Sequence, residues 1–338
     1  MELNKLLVIT GDHELADPTK WAGGYSEDDR ALHEAMVAAL RSLDRFEVTV
    51  CNDHATLLTM VEARPDLVLN FCDTGFRNEA SQELHVPALL EMHDVPYTGA
   101  PPSAMVLCYD KPVVNLLAGS LGVPVPGEAE LEPGEALDPG GVDFPAIVKP
   151  ARGDGSVGIN RGAVVDDEDA LRRQITWLSQ TLPERALLIQ EYLPGPEYGL
   201  ALLGNPGRLR ALPMLQVDFS KLPEGLPPIL AFESKTGPEN PYDQVGVVQA
   251  SLEPSEVEPL VAHASRLFER LGCQDYARFD FRTAADGTIK LMEVNPNPAW
   301  SKEAKLAKMA AFAGMTYPEL LATIVDEAWM RVKERTNG

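Results

Sequence analysis

Two acidic residues, an amide and an arginine sit at matching places on two neighbouring runs near the end of the chain. The first run is Ala277-Arg278-Phe279-Asp280-Phe281; the second, Thr288 to Asn295, closes on Glu293-Val294-Asn295. Asp286-Gly287 between them is a tight-turn pair, which predicts a hairpin. Side chains alternate faces along a strand, so Arg278 and Asp280 share one face and Glu293 and Asn295 share another. If the paired faces coincide, two carboxylates, an amide and a guanidinium converge. Asp, Glu and Asn oxygens are the hard donors that Mg²⁺ takes beside nucleotide phosphates. A surface ion pair is the alternative for an isolated Arg-x-Asp. Glu293 and Asn295 end an apolar strand, which surface alternation does not explain, and this favours the metal.

Two further runs carry weaker signals. Ala146-Ile147-Val148-Lys149 is a buried-strand pattern that delivers a lysine to the glycine-rich loop Gly153 to Gly158. Glycines let backbone N–H groups wrap phosphate oxygens. The spacing G-x-x-x-x-G-K-[ST] is absent, so a plain hairpin loop stands equally well. Leu188-Ile189-Gln190-Glu191-Tyr192-Leu193-Pro194-Gly195-Pro196-Glu197 is an apolar strand that ends in polar residues and a Pro-Gly turn. It suits a hinge whose backbone reads an adenine edge and whose last carboxylate meets ribose hydroxyls. Charged strand ends are common, and alone this run is no more than that.

The elements that must hold these residues alternate first. Strands at Leu6 to Thr10, Val48 to Cys51 and Leu67 to Phe71 are separated by helices at Asp28 to Leu43 and Ala55 to Ala63. A helix at Leu84 to His93 and a short strand at Tyr97-Thr98 follow. That order predicts a parallel sheet, closing near residue 105. A helix starts at Lys111. The chain is then broken by Gly122 to Pro126 and the Pro/Gly-rich span Glu132 to Gly141. A small α+β unit comes next, with strands Ala146 to Lys149 and Ala186 to Glu191 around a helix, Glu168 to Leu178. The last part holds a strand at Gly199 to Gly204, a long aperiodic stretch from Phe219 to Val245, a helix at Ser255 to Leu271, the hairpin and a final helix pair. An aperiodic stretch of that length is usually either functional or mobile.

The bulk composition sets limits. The chain has 338 residues, enough for two or three domains. Its formal net charge is -22, which repels nucleic acid and anionic membrane surfaces. No apolar run approaches a membrane span, and the short N-terminal run, with no small-residue cleavage site after it, reads as too short for a signal peptide. The four cysteines show neither a CxxC nor a disulfide-dense pattern, which predicts reduced thiols in a cytoplasmic protein.

Taken together, the three runs resemble the ATP-grasp superfamily, and within it the D-alanine–D-alanine ligases. Leu89 to Gly99 and Tyr109-Asp110-Lys111 add to the resemblance, which covers most of the chain. It implies an α/β and α+β fold of ATP-grasp type. The expected parts are an N-terminal parallel-sheet domain (1–105), a small central α+β lid (106–190) and a C-terminal mixed-sheet domain (191–338). It implies ATP with two Mg²⁺ ions, or Mn²⁺ in their place. Lys111 and Lys149 would contact the α- and β-phosphates under a loop carrying Ser156, and Lys235 the γ-phosphate. Gln190 stands where the family has an adenine-contacting glutamate. Glu191 and Leu193 would offer backbone groups to the base, and Glu197 would bind ribose. Asp280, Glu293 and Asn295 match the metal ligands, and Arg278 the arginine that steadies the tetrahedral intermediate. The activity implied is the ATP-dependent joining of a small acid to an amine through an acyl phosphate. A homodimer is common in the relatives. A true D-alanine–D-alanine ligase and a catalytically silent nucleotide-binding regulator are the alternatives.

The substrate half departs from that family. The first strand runs into Gly11-Asp12-His13-Glu14, where the family's substrate glutamate is at best displaced to Glu14. Gly155 replaces the first of two loop serines, and Thr236 follows the γ-phosphate lysine in place of an aromatic ring. After Asn295 the chain reads Pro296-Asn297-Pro298-Ala299-Trp300-Ser301-Lys302. Trp300 and Lys302 would reshape that pocket, Lys302 by pairing with an acidic substrate or merely by solvating a helix start. Asp73 and Arg77 follow a buried strand end, where open α/β sheets face ligand crevices, which makes them candidate substrate contacts; turn chemistry explains them somewhat better. An amino acid other than D-alanine, or a specialised acid, is the expected substrate.

Overall fold

The computed structural model describes residues 2–17, 20, 23–135, 143–153, 158–230 and 245–337. The N-terminal part is built from β1 (Lys5–Ile9), α1 (Glu27–Arg41), β2 (Glu47–Cys51), α2 (Leu57–Glu62), β3 (Leu67–Asn70) and α3 (His85–Met92). The strands pair in parallel in the order β2-β1-β3, and Tyr97 adds a parallel bridge to Val68. Helix α1 starts where Ser26 and Asp29 cap each other's backbone N–H, a capping box that satisfies two orphan donors. Two short helices follow, α4 (Pro102–Cys108) and α5 (Lys111–Ser120).

The central layer is the antiparallel sheet β4-β7-β5-β6, formed by β4 (Glu128–Leu131), β5 (Ala146–Pro150), β6 (Val164–Val165) and β7 (Leu187–Glu191). Helix α6 (Glu168–Thr181) covers one face, with Leu171 and Leu178 packed on Ala146, Val148, Leu187 and Ile189. Strand β4 lies in a stretch that its Gly and Pro residues mark as a break. Its pattern is mostly exposed, so no apolar periodicity announces it.

The C-terminal sheet holds β8 (Glu197–Leu203), β9 (Arg210–Ala211), β10 (Leu215–Asp218), β11 (Gly246–Gln249), β12 (Tyr276–Thr283) and β13 (Ile289–Asn295). The order is β11-β10-β8-β12-β13, with β9 on β8. Each pairing among these described strands is antiparallel, where a mixed sheet was expected. Helix α7 (Pro254–Leu271) packs Leu260, Ala264, Leu267 and Phe268 against Leu200, Leu202, Phe279 and Phe281. It ends at Gly272, whose φ of 75° is the left-handed cap that glycine takes without strain. Helices α8 (Lys305–Phe312) and α9 (Tyr317–Asn337) close the chain. Leu320, Ile324 and Ala328 of α9 join the same buried cluster as Met36 and Leu40 of α1, so the last helix returns to the first sheet.

Candidate functional site

Register decides what the hairpin can do. Arg278 lies opposite Asn295, and Asp280 opposite Glu293. On its other side β12 sets Asp280 opposite Gly199 and Arg282 opposite Glu197. Directly opposed residues point to one face, so Arg278, Asp280, Arg282, Glu197, Glu293 and Asn295 share a polar floor. Phe279 and Phe281 turn the other way, into the core. The turn works because Gly287 takes φ 87° while Asp286 accepts from the Thr288 N–H at 2.9 Å.

The floor is strongly charged. Arg278 grips Asp280 bidentately, Nε to Oδ1 at 2.8 Å and an Nη to Oδ2 at 2.9 Å. Burial opposes the charge on Asp280. The Arg278 guanidinium, then Lys305, outweigh it and hold the carboxyl below its ordinary range. Asn295 Nδ2 lies 3.3 Å from Asp280 Oδ2 and 3.5 Å from Glu293 Oε1. Two carboxylates and one amide therefore meet at a point. A half-turn of the Asn295 amide would bring its oxygen to the same place, giving the all-oxygen donor set of a hard divalent cation. The fit is to an Asp–Glu–Asn set; among the described residues no cluster of three or more His, Cys, Asp or Glu side chains offers another.

The central sheet supplies the opposing wall. Lys149 and Gln190 point away from α6, and Lys149 Nζ donates to Gln190 Oε1 at 2.9 Å. Burial, then the neighbouring Lys111 charge, push the Lys149 ammonium down to about 8. Gln190 Nε2 donates onward to Glu128 Oε2 at 2.9 Å, and Asn115 donates to the same oxygen. Lys111 opens α5 and reaches Gly153 O at 2.5 Å. The start of the glycine-rich loop is sewn to that helix by Lys111 N–H to Ala151 O, 3.2 Å, and Gly153 N–H to Tyr109 O, 2.9 Å. Ser156 and Lys235 lie outside the described residues, as do Gly155 and Thr236.

Between the walls runs the hinge. The Glu191 N–H is taken by Gly127 O at 2.8 Å and the Tyr192 N–H by Pro145 O at 3.2 Å. Among the described residues the Leu193 N–H has no backbone acceptor. The Glu191 carboxylate takes Lys290 Nζ at 2.7 and 2.9 Å, tying the hinge to β13. Glu197 is buried, with Arg282 3.5 Å from Oε2 and Lys305 3.6 Å from Oε1. Burial raises its carboxyl above the usual range despite both cations.

The substrate candidates are not brought together. Glu14 is exposed, 3.4 Å from Arg30. Asp73 and Arg77 follow β3; Arg77 has a left-handed backbone, φ 56°, and gives its N–H to His54 Nδ1 at 2.7 Å. Lys302 is exposed. Trp300 is fully buried, its ring 4.2 Å from that of Phe71 and its Nε1–H 3.3 Å from Tyr276 Oη, so it supports the core and lines no open pocket. A cavity of about 620 Å³ lies apart from the charged floor, between α1 and β2, lined by His13, His33, Arg30 and Asn52 among others.

Arg282, Lys305, Glu128 and Asn115 are site neighbours that the sequence patterns did not single out. Arg282 was within reach: it is two residues past Asp280, and alternation puts it on the same face had the strand been drawn beyond Phe281. Glu128, Asn115 and Lys305 come from other elements, and only the packing of those elements identifies them.

Comparison with known proteins adds family and fold to this description. The family model described as D-ala D-ala ligase C-terminus matches residues 139–326. The chain is 31% identical to an uncharacterised protein, y4sG, of Sinorhizobium fredii, over 93% of this chain and 90% of that one. It is 28% identical to a D-alanine–D-alanine ligase of Gluconobacter oxydans, over 88% and 93%. It is 29% identical to the vancomycin B-type resistance protein VanB of Enterococcus faecalis, over 71% and 67%. Its fold is similar to that of the Bacillus anthracis D-alanine–D-alanine ligase complexed with ATP, with a TM-score of 0.73, 22% identity and 98% and 99% of the two chains covered.

Proposed function

Because the chain belongs to the D-alanine–D-alanine ligase family, we propose that it is an ATP-dependent carboxylate–amine ligase working through an acyl phosphate. The observation that carries this reading is the register of β12 and β13, which gathers Arg278, Asp280, Glu293 and Asn295 on one face. Domain limits at 105 and 190 follow the same scheme, with the cleft between the central and C-terminal sheets.

ATP would lie in that cleft. The hinge would hold the base through the Glu191 carbonyl and the Leu193 N–H, and Glu197 would take the ribose diol. Lys111 and Lys149 would face the phosphates from above, with Ser156 and Lys235 assigned to the same chain of oxygens by resemblance. Asp280, Glu293 and Asn295 would hold Mg²⁺, two ions by resemblance. A bound divalent cation supplies Lewis-acid charge to the phosphoryl oxygens. A carboxylate oxygen of the acid substrate attacks the γ-phosphorus and ADP leaves. The amine then attacks the acyl carbon, inorganic phosphate departs, and the amine gives up its proton. Arg278 donates to the oxygen that gains charge in that second step. Closure over the acyl phosphate keeps water from it.

The substrates are a small acid and an amine, amino acids first among them. D-alanine in both places is a second reading, favoured by the family itself. A homodimer is carried over from the family resemblance alone, and a cytoplasmic place from the four cysteines, which form no disulfide pattern. No helix among the described residues is long and apolar enough to cross a membrane. Phosphate and ADP release, screened over amino acids in pairs, tests the reading: release should need both acid and amine. Full-rate ADP formation with no amine present would make it a kinase instead. Dipeptide from D-alanine alone at a competent rate would select the second reading.

A further inference from the structure

Glu197 is a buried carboxylate with a cation on each oxygen, and the two cations are held very differently. Arg282 faces Oε2 at 3.5 Å. Its Nε donates to Gly195 O at 3.1 Å, an Nη donates to Pro228 O at 2.7 Å, and its guanidinium lies over the rings of Tyr192 and Phe219 at 5.5 and 5.7 Å. Its side chain is 5% exposed, and it cannot leave without breaking those bonds. Lys305 faces Oε1 at 3.6 Å, is 23% exposed, and among the described residues has no closer polar partner.

Where that ammonium sits matters more than what it touches. It faces Glu197 Oε1, and the register of β8 with β12 puts Asp280 on the same face, two residues along the strand from the Arg282 that opposes Glu197. Glu197 marks the ribose end of the nucleotide in the function proposed above, and Asp280 the metal end, so the phosphate chain must run between them. The β8 residue at that point is Gly199, opposite Asp280, which presents no side chain. The floor's own cations, Arg282 and Arg278, are each engaged by a carboxylate and held in place, so a cation able to move must come from another element. Lys111 and Lys149 serve the opposite wall. Lys305, from the start of α8, serves the floor.

We propose that Lys305 is a nucleotide-binding residue that exchanges partners: it neutralises Glu197 in the free cleft and passes to the phosphate chain when the ribose diol takes Glu197 Oε1. The inference rests on the ligase reading for the placing of ribose and metal. It has a distinctive consequence. An adenosine without phosphates must compete with Lys305 for Glu197 and receives nothing in return. ATP competes for the same oxygen and gains the displaced ammonium.

Binding of adenosine, ADP and Mg²⁺-ATP to the full-length protein and to Lys305→Met and Lys305→Arg separates the cases. Lys305→Met should weaken ATP and ADP by on the order of tenfold, the loss of one charged hydrogen bond. It should leave adenosine unchanged or tighter, and Lys305→Arg should keep most of the ATP affinity. Equal weakening of adenosine and ATP would overturn the exchange, because Lys305 would then only sustain Glu197. Unchanged ATP affinity with a raised KM for the acid or the amine would overturn it in favour of a substrate contact. Failure of the unsubstituted protein to bind any of the three would refute the ligase reading instead. A melting curve for each variant shows that the comparison is between folded proteins.

Discussion

Lys149 shows how a single side chain couples binding to pH. Its ammonium is buried beside Lys111 and titrates near 8, against 10.5 for a free lysine. Below about 8 it is charged and fit to meet a phosphate. Nucleotide affinity should therefore be level below pH 8 and fall above it, with proton uptake on binding in that upper range. Lys149→Arg, which does not titrate there, should remove the inflection in a plot of ATP dissociation constant against pH. The sign for stability follows separately. The unfolded chain holds the extra proton between about 8 and 10.5, so this group's contribution to stability rises with pH across that window and is at its least favourable below it. Arg278 and Asp280 make a sharper case. Asp280→Asn removes the charge of a proposed metal donor and leaves Arg278 without the carboxylate it grips. Turnover should drop by at least about a hundredfold, with ADP release as the assay. Full ADP release from Asp280→Asn would remove the metal role from this carboxylate.

At the scale of elements, two glycines fix how the site residues face one another. Gly287 takes φ 87° at the tip of the β12–β13 turn, where a side chain is strained. Gly287→Ala should cost about 1 kcal/mol in urea unfolding. Turnover at low temperature should persist, because the β8 pairing also holds the register of β12. Gly195 sits where the hinge passes β12: a Cβ there would lie 2.7 Å from Thr283 Cβ and 2.8 Å from its carbonyl oxygen. Its own N–H donates to that carbonyl at 2.9 Å. Gly195→Ala should push the hinge off β12, raising the KM for ATP severalfold while leaving the dependence on acid and amine intact. An unchanged KM for ATP would show that the hinge does not hold the nucleotide.

At the scale of the whole molecule, one buried carboxylate ties distant parts of the chain. Asp275 is fully buried and accepts the Gly99 N–H at 2.9 Å, Asn205 Nδ2 at 2.9 Å and two bonds from Arg331 at 2.8 and 2.9 Å. Arg331 also reaches Tyr97 O at 2.7 Å. The end of the first sheet, a loop of the last sheet and the final helix thus meet at one ion pair. Asp275→Asn keeps a residue that tolerates the local φ of 63° but strips the pair of its negative charge. Leaving a buried arginine unpaired costs on the order of 3–5 kcal/mol. Urea unfolding should show that loss, and it should shrink when Arg331→Met is added; an additive double variant would mean that the two residues do not act as a pair.

The chain's own pattern determined a good deal by itself. Alternation along Arg278-Phe279-Asp280 and Glu293-Val294-Asn295, with Asp286-Gly287 between, set the hairpin and the face of each side chain, since both are local consequences of strand geometry. Apolar periodicity likewise placed the parallel strands and helices of the first part. Local patterns cannot say which strands are neighbours. The pairing of β12 with β8, which brings Glu197 and Gly199 beside Asp280, depends on contacts between residues some eighty apart and came only from the tertiary structure. So did Glu128 and Lys305, ordinary charged residues in sequence that become site neighbours by packing. Trp300 ran the other way: its place after Asn295 suggested a pocket wall, and the aromatic contact with Phe71 put it in the core, where a large apolar ring is most stable. Sequence determined which side chains share a face of each strand, and tertiary structure decided which strands lie together, because alternation is written in the backbone and adjacency is not.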